Sequence, residues 1–165
     1  MMRLTTPLMT AGGLTGLITA LVYLHFSRSV MPSLAKLPAA QGIARMQEFN
    51  RTAVKPPFMI AFFGAAAIGT WFVVAWLRGN RTLADTLAAG GGLAYLAGFA
   101  LTIAFHVPRN EALAVLDPAA PASAQIWQTY LHEWTAGNTV RAVLSSLSVA
   151  ALAAGIVARQ LSDAS

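Results

Sequence analysis

Four long stretches of this chain contain no Asp, Glu, Lys or Arg. They cover residues 4–27, 56–77, 86–108 and 142–158, and they are 17 to 24 residues long. About 20 apolar residues in a helix cross the hydrocarbon core of a bilayer. The pattern therefore predicts four transmembrane helices, over about residues 5–27, 57–77, 86–106 and 141–158.

Composition supports a membrane protein and argues against a soluble domain, because 56% of the 165 residues are hydrophobic and only 10% are charged. The first apolar stretch exceeds the roughly 7 to 15 residues of a signal-peptide core and lacks a clear small-x-small cleavage site, so we count it as a span. We predict an all-α fold in one domain over residues 1–165. Its architecture is a four-helix transmembrane bundle with interfacial helices in two long loops on the same side.

Several functional classes are excluded or disfavoured. The chain has no cysteine, which rules out disulfides, thiolate nucleophiles and cysteine-ligated metals. The net charge is +5, but the basic residues are scattered and no basic cluster is interleaved with aromatics, so we expect no nucleic-acid partner. No serine lies in a Gly-x-Ser-x-Gly elbow, and the glycines at 90–92 lie inside a span without a nucleotide-binding context.

Four spans divide the polar residues between two ends of the bundle. The short-loop end comprises the N-terminus, residues 78–85 and the C-terminal tail, and the long-loop end comprises residues 28–55 and 106–141. His25, His106 and His132 all border the long-loop end, so we expect any chemistry there. Seven Lys or Arg lie at that end against four at the other, although the four are more densely spaced. By count the long loops face the cytoplasm, and we expect a bacterial plasma membrane.

The first long loop contains a predicted interfacial helix. Met31-Pro32 is expected to break the end of span one, and a helix over about 38–54 comes next. Gln47 and Asn50 share one face of this helix with Ile43 and Val54. We expect the helix to lie over the mouth of the bundle, with the two amides either lining a site or tying the loop to a neighbour.

The second long loop holds the most unusual stripe of side chains. Pro108 is expected to end span three, with Asn110 as a helix cap just after it, and Ser123 is a predicted N-cap of the next helix. Spacings of four, three, four and three then place one set of residues on one helical face that continues into span four: Trp127, Leu131, Trp134, Asn138 and Arg141. An amide and a cation facing lipid are costly, which favours burial in the bundle. The alternative is an interfacial Arg141 with the tryptophans in an aromatic belt.

Metal binding and transport are less favoured. His25, His106, His132 and Glu133 could converge at the long-loop end, but no pair of them has the spacing of ligands on one helix. We therefore expect no metal and no other cofactor. The two halves of the chain form a weak internal repeat, as in many transporters. No charged residue lies inside a span, however, and this argues against transport.

The residues together resemble a known family. Met31-Pro32, the segment from Met46-Gln47 to Asn50-Arg51, Lys55-Pro56-Pro57-Phe58, His106-Val107-Pro108-Arg109-Asn110, and Trp134 followed by Asn138 and Arg141 occur in this order. Over about residues 12–155 the chain resembles the anthrone oxygenase-like family of small four-helix integral membrane proteins. It departs from the usual family pattern at Arg109, where an apolar residue is common, and around Gly137-Asn138-Thr139.

The resemblance implies oxidation of a flat, anthrone-type aromatic polyketide by dioxygen to a quinone, without a cofactor. Under this hypothesis His106 or His132 is the base, Arg141 and Asn138 stabilise the oxyanion and Asn110 orients the site. The residues expected to contact the substrate are Trp127, Trp134, Gln47, Asn50 and Arg51. The expected partners are the lipid bilayer, the aromatic substrate and dioxygen. The alternative is a non-catalytic membrane protein that binds a lipid, a quinone or a partner protein, and the sequence predicts no oligomeric state.

Overall fold

The computed structural model describes residues 5–79 and 81–164, and within these ranges it contains helices and turns but no strand. The predicted all-α class is confirmed. Arg3, one of the four basic residues predicted at the short-loop end, lies outside the described residues. Five helical segments follow one another: α1 (Thr5–Leu34), α2 (Ala39–Ala53), α3 (Phe58–Leu77), α4 (Leu83–Ala114) and α5 (Ser123–Asp163).

The four long helices α1, α3, α4 and α5 are each long and apolar enough to cross a membrane. They form a ring in which α5 packs against α1 and α4, and α3 packs against the same two helices on the other side. Large apolar side chains point outward around the ring, as lipid contact requires. Exposed examples from the four helices are Leu14, Ile18, Phe63, Leu93 and Leu147. The chain is thus an integral membrane protein.

Both prolines that were expected to end spans lie inside continuous helices, so this prediction is wrong. A π-helical turn covers Phe26–Val30 just before Pro32, and a second covers Thr102–His106 just before Pro108. A proline in a regular helix removes one hydrogen bond and its ring meets the carbonyl four residues earlier. The wider π turn changes that hydrogen-bonding register, so α1 continues to Leu34 and α4 to Ala114.

Helix α2 covers the long-loop end of the ring, close to the predicted bounds. Gly42 lies directly against Trp127 of α5, where a Cβ atom would be 2.8 Å from the indole Cζ2. Gln47 Nε2 donates to the carbonyls of Leu113 at 2.9 Å and Leu116 at 3.0 Å. Val54, predicted to share this face, is 67% exposed. Gln47 therefore joins the two long loops, as predicted by the alternative in which the amides tie this loop to a neighbour.

Helix α5 is 41 residues long, which corresponds to about 60 Å, roughly twice the thickness of the hydrocarbon core. Its first half therefore projects beyond the core and provides one wall of the mouth. Ser123 is not its N-cap, because the cap position is Ala122. Instead, the Ser123 hydroxyl donates to the carbonyl of Asp117 at 2.6 Å and closes the preceding turn.

At the short-loop end, a tight turn joins α3 to α4. Gly79 has a φ of 108°, a conformation that favours glycine. Thr82 and Asp85 then form a capping box at the start of α4, in which each side chain accepts a hydrogen bond from the backbone N–H of the other residue. This turn is local and needs no partner from a distant part of the chain.

Candidate functional site

A buried guanidinium group occupies the interior of the bundle below the long-loop end. Arg141 is 5% exposed, its Nη2 donates to Asn138 Oδ1 at 2.7 Å, and its Nη1 donates to Thr102 Oγ1 at 3.2 Å. The Arg141 Cζ lies 4.3 Å from the centroid of the Tyr23 ring, a cation–π contact. The alternative in which Arg141 extends to the interface is therefore wrong.

Asn138 connects this guanidinium to α1. It is fully buried, and its Nδ2 donates to the carbonyl of Tyr23 and to Ser27 Oγ, both at 2.7 Å. Ser27 belongs to the π turn of α1, and Thr102 belongs to the π turn of α4. The two π turns thus supply hydroxyl acceptors to Asn138 and Arg141 from opposite sides.

The charge of Arg141 has only neutral partners among the described residues. The two ion pairs formed between described residues are Arg51 with Glu48 and Arg109 with Glu133, and neither includes Arg141. A buried cation without a counterion is costly, and it strongly favours an anion that comes within a few ångströms. The Nε of Arg141 is also buried without a hydrogen-bond partner in the described structure.

His106 lies beside this cation, at the end of the α4 π turn. It is 1% exposed, and its ring centroid is 5.4 Å from that of Trp134, which also lies beneath the Arg141 guanidinium. Its Nδ1 is 3.4 Å from the carbonyl of Leu101, and its Nε2 has no partner among the described atoms. Gly137 makes room for the ring, because a Cβ there would lie 3.0 Å from His106 Cε1.

A stack of aromatic rings forms the wall of the mouth. Trp127 and Tyr130 have centroids 5.6 Å apart, and Tyr130 and Trp134 are 6.3 Å apart, with nearly parallel rings in both pairs. Asn110 Oδ1 accepts from Tyr130 Oη at 2.8 Å and from Trp134 Nε1 at 2.9 Å. Asn110 is therefore a tie between α4 and α5 and not a helix cap, which corrects the prediction. Both tryptophans are buried, so they do not form an aromatic belt.

Apart from Asn50, the other predicted site residues do not join this cluster. His25 and His132 are exposed, so the three histidines do not converge. Arg51 is exposed and pairs with Glu48, and Gln47 is occupied by the carbonyls of α4 and its following turn. Asn50 is half-buried beside Tyr130, and its Nδ2 has no hydrogen-bond partner within 3.5 Å in the described structure. Within the described ranges no three His, Asp or Glu side chains group together as metal ligands.

Four residues of the cluster were missed by sequence analysis: Tyr23, Ser27, Thr102 and Tyr130. Tyr130 could have been found from its position three residues after Trp127 on the same helical face. Ser27 lies five residues before Pro32, and Thr102 lies six residues before Pro108. A hydroxyl five or six residues before a proline thus occurs in both halves of the chain and could have indicated these two residues.

The fold and the buried cluster define a small four-helix integral membrane protein with an uncompensated cationic centre near one end. The model of the anthrone oxygenase family matches residues 58–151, more than half of the chain, and the chain belongs to this family. The matched range begins at α3 and includes His106, Asn110, Trp134, Asn138 and Arg141. No curated protein and no solved structure matches the chain.

Proposed function

We propose that this protein oxidises a flat, phenolic anthrone-type molecule to a quinone with dioxygen. In this reaction the substrate loses a proton from the acidic carbon of its central ring, and the resulting enolate is oxidised there by dioxygen. Formation of the second carbonyl releases water, so that the substrate and one dioxygen molecule give one quinone and one water. Family membership supports this activity.

The observation on which the proposal rests is the buried Arg141, whose partners among the described residues are all neutral. Deprotonation of the substrate creates a negative charge on its oxygen. A fixed guanidinium in a medium of low dielectric constant stabilises that charge without having to reorganise, and this lowers the barrier to enolate formation. Asn138 holds the guanidinium in place through its Oδ1 and is a positioning residue.

His106 is the proposed base. Of the two ring nitrogens of His106, Nε2 has no hydrogen-bond partner in the described structure, and the ring lies against Trp134, next to the Arg141 guanidinium. A neutral imidazole can accept the substrate proton. Asn110 fixes Trp134, which contacts both His106 and Arg141, and the unpartnered Asn50 Nδ2 is a further donor for a substrate oxygen.

The test of the cation compares Arg141→Gln with Arg28→Gln, because Arg28 is an exposed arginine at the same end of the bundle. Membranes containing each variant are supplied with an anthrone and oxygen, and quinone absorbance is followed. We expect Arg141→Gln to lower the rate about a hundredfold, as for the loss of one oxyanion donor, and Arg28→Gln to retain it. Equal rates in the two variants contradict the proposal.

The test of the base compares His106→Gln with His132→Gln, a buried and an exposed histidine. We expect a large loss of quinone formation in His106→Gln alone. If both variants keep full turnover and the same pH profile as the wild type, His106 is not the base.

A second candidate function is binding of a quinone or lipid without catalysis. The observation that favours it is that Gln47, Asn110 and Asn138 are already bonded to protein groups instead of surrounding one open space. Under this function, a quinone binds the wild type and not Arg141→Gln, while neither membrane consumes oxygen when an anthrone is added. Oxygen consumption in proportion to quinone formation excludes this non-catalytic function.

We also propose that the long loops face the cytoplasm of a bacterial plasma membrane, because seven of the eleven basic residues lie at that end. The absence of native cysteine makes the test direct. A single Lys36→Cys variant should resist a membrane-impermeant maleimide in intact cells and react in inverted vesicles. The opposite labelling pattern reverses the orientation.

A further inference from the structure

A second candidate binding site lies at the short-loop end, far from Arg141. A half-open recess of about 380 Å³ is bounded by the beginnings of α1 and α4, the α3–α4 turn and the end of α5. The polar and aromatic residues that line it include Trp71, Arg81, Asp85, Arg159, Ser162 and Asp163. None of these residues belongs to the proposed oxidation site.

An apolar groove adjoins this recess. It has a volume of about 550 Å³ and lies between the first two turns of α4 and the last part of α5. Its lining is apolar except for Ser162, which also lines the polar recess. Leu83, Val157 and Leu161 are each more than half exposed there. A polar recess that continues into an apolar groove between two spans matches a molecule with a polar head and a hydrocarbon tail.

The recess is lined by equal numbers of positively and negatively charged side chains. Arg81 and Arg159 supply two positive charges, and Asp85 and Asp163 supply two negative charges, so the described part of the lining is formally neutral. The Arg81 guanidinium lies 4.9 Å from the Trp76 ring centroid, and no described carboxylate forms an ion pair with it. Trp76 is itself fixed, because its Nε1 donates to Thr86 Oγ1 at 3.2 Å.

We propose that the recess and groove form a site for a zwitterionic phospholipid whose head group carries a phosphate and an ammonium, as in phosphatidylethanolamine. A guanidinium is a geometrically suited donor to phosphate oxygens, and an aspartate accepts from an ammonium. The acyl chain lies along the groove. An anionic head group gains the arginines but also meets two carboxylates, and this like-charge contact disfavours it.

The test measures lipid binding to the full chain purified in detergent, by native mass spectrometry with added phosphatidylethanolamine. Arg81→Gln is compared with Arg78→Gln, an exposed arginine of the same turn that does not line the recess. We expect Arg81→Gln to weaken binding about tenfold, the effect of losing one charged hydrogen bond, and Arg78→Gln to leave it unchanged. Equal affinity in the two variants overturns the proposal.

The groove and the head-group class have their own tests. Ala154→Phe places a ring in the groove, whereas Ala153→Phe adds the same ring at an exposed neighbour that does not line it. We expect only Ala154→Phe to weaken lipid binding. Soluble glycerophosphoethanolamine should bind far more weakly than the lipid, and phosphatidylglycerol should not compete. Equal binding of the soluble head group overturns the role of the groove, and competition by phosphatidylglycerol overturns the zwitterionic assignment.

Discussion

The two ends of the bundle hold their polar groups in different ways. At the long-loop end, Asn138 is fully buried and bonds to Ser27, which is 111 positions away in the chain. At the short-loop end, Thr82 and Asp85 are three positions apart and near the surface. The first arrangement exists only when the whole bundle has formed, and the second needs only one turn of helix.

This difference determines at which end of the bundle a substitution affects both stability and function. At the long-loop end, each buried polar group is the partner of another, so removing one leaves several unsatisfied in a medium of low dielectric constant. At the short-loop end, water replaces any lost partner. Substitutions should therefore have global effects at the long-loop end and local effects at the short-loop end.

The largest effect is expected for Asn138→Ala, which removes the acceptor of Arg141 Nη2 and the donor to Ser27 Oγ. We expect a loss of about 3 kcal/mol in the free energy of unfolding in detergent micelles, because a buried charge loses its best partner. Gln128→Ala, an exposed amide on the same helix, is the control and should change stability little. Similar losses in both variants would show that the buried hydrogen bonds of Asn138 do not account for the effect.

An intermediate effect is expected for Gly42→Ala. The new Cβ would lie 2.8 Å from Trp127, which is 1% exposed and stacked against Tyr130, so we expect a destabilisation of about 2 kcal/mol. Gly13, in the half of α1 nearer the short-loop end, has nothing within 4 Å of such a Cβ. Gly13→Ala should therefore stabilise the helix by about 1 kcal/mol. Thermal unfolding shifts of the same sign in the two variants contradict this prediction.

The smallest effect is expected for Thr82→Ala, which removes the capping box at the start of α4. The expected cost is about 1 kcal/mol. Hydrogen exchange should show faster amides only in the first turn of α4, and Thr129→Ala, an exposed threonine inside α5, should leave that turn unchanged. If the loss of this cap also accelerates exchange around Asn138, the short-loop end is coupled to the buried cluster.

The sequence was sufficient to predict the four apolar helices and the helical face that carries Trp127, Trp134, Asn138 and Arg141. Runs without charge predicted the four apolar helices, because a bilayer excludes charged side chains along about 20 residues. The helical spacing from Trp127 to Arg141 predicted one face, and its Trp127, Trp134, Asn138 and Arg141 are all buried. This periodicity depends only on the winding of one helix, so no knowledge of its neighbours was needed.

The remaining features depend on contacts that the sequence does not show. The prolines were interpreted as helix ends because a regular helix does not tolerate them well, but the π turns allow both helices to continue. The histidines were grouped by the end of the bundle on which they lie. His132 points away because neighbouring helical positions differ by about 100°, and it lies two residues before Trp134.

The two π turns make chain length at these positions more important than residue identity. Each turn accommodates a wider winding, so deleting one residue from Phe26–Val30 or Thr102–His106 would restore regular winding. The i→i+5 hydrogen bond of a π turn encloses one residue more than the i→i+4 bond of a regular helix, so the helix beyond the deletion would keep nearly the same orientation. Met31, Leu34 and Leu113 would therefore stay in the core. The hydroxyl of Ser27 or Thr102 would instead leave its place beside Asn138 or Arg141. A single-residue gap in an alignment with a relative at either turn would thus mark a protein with a differently built mouth.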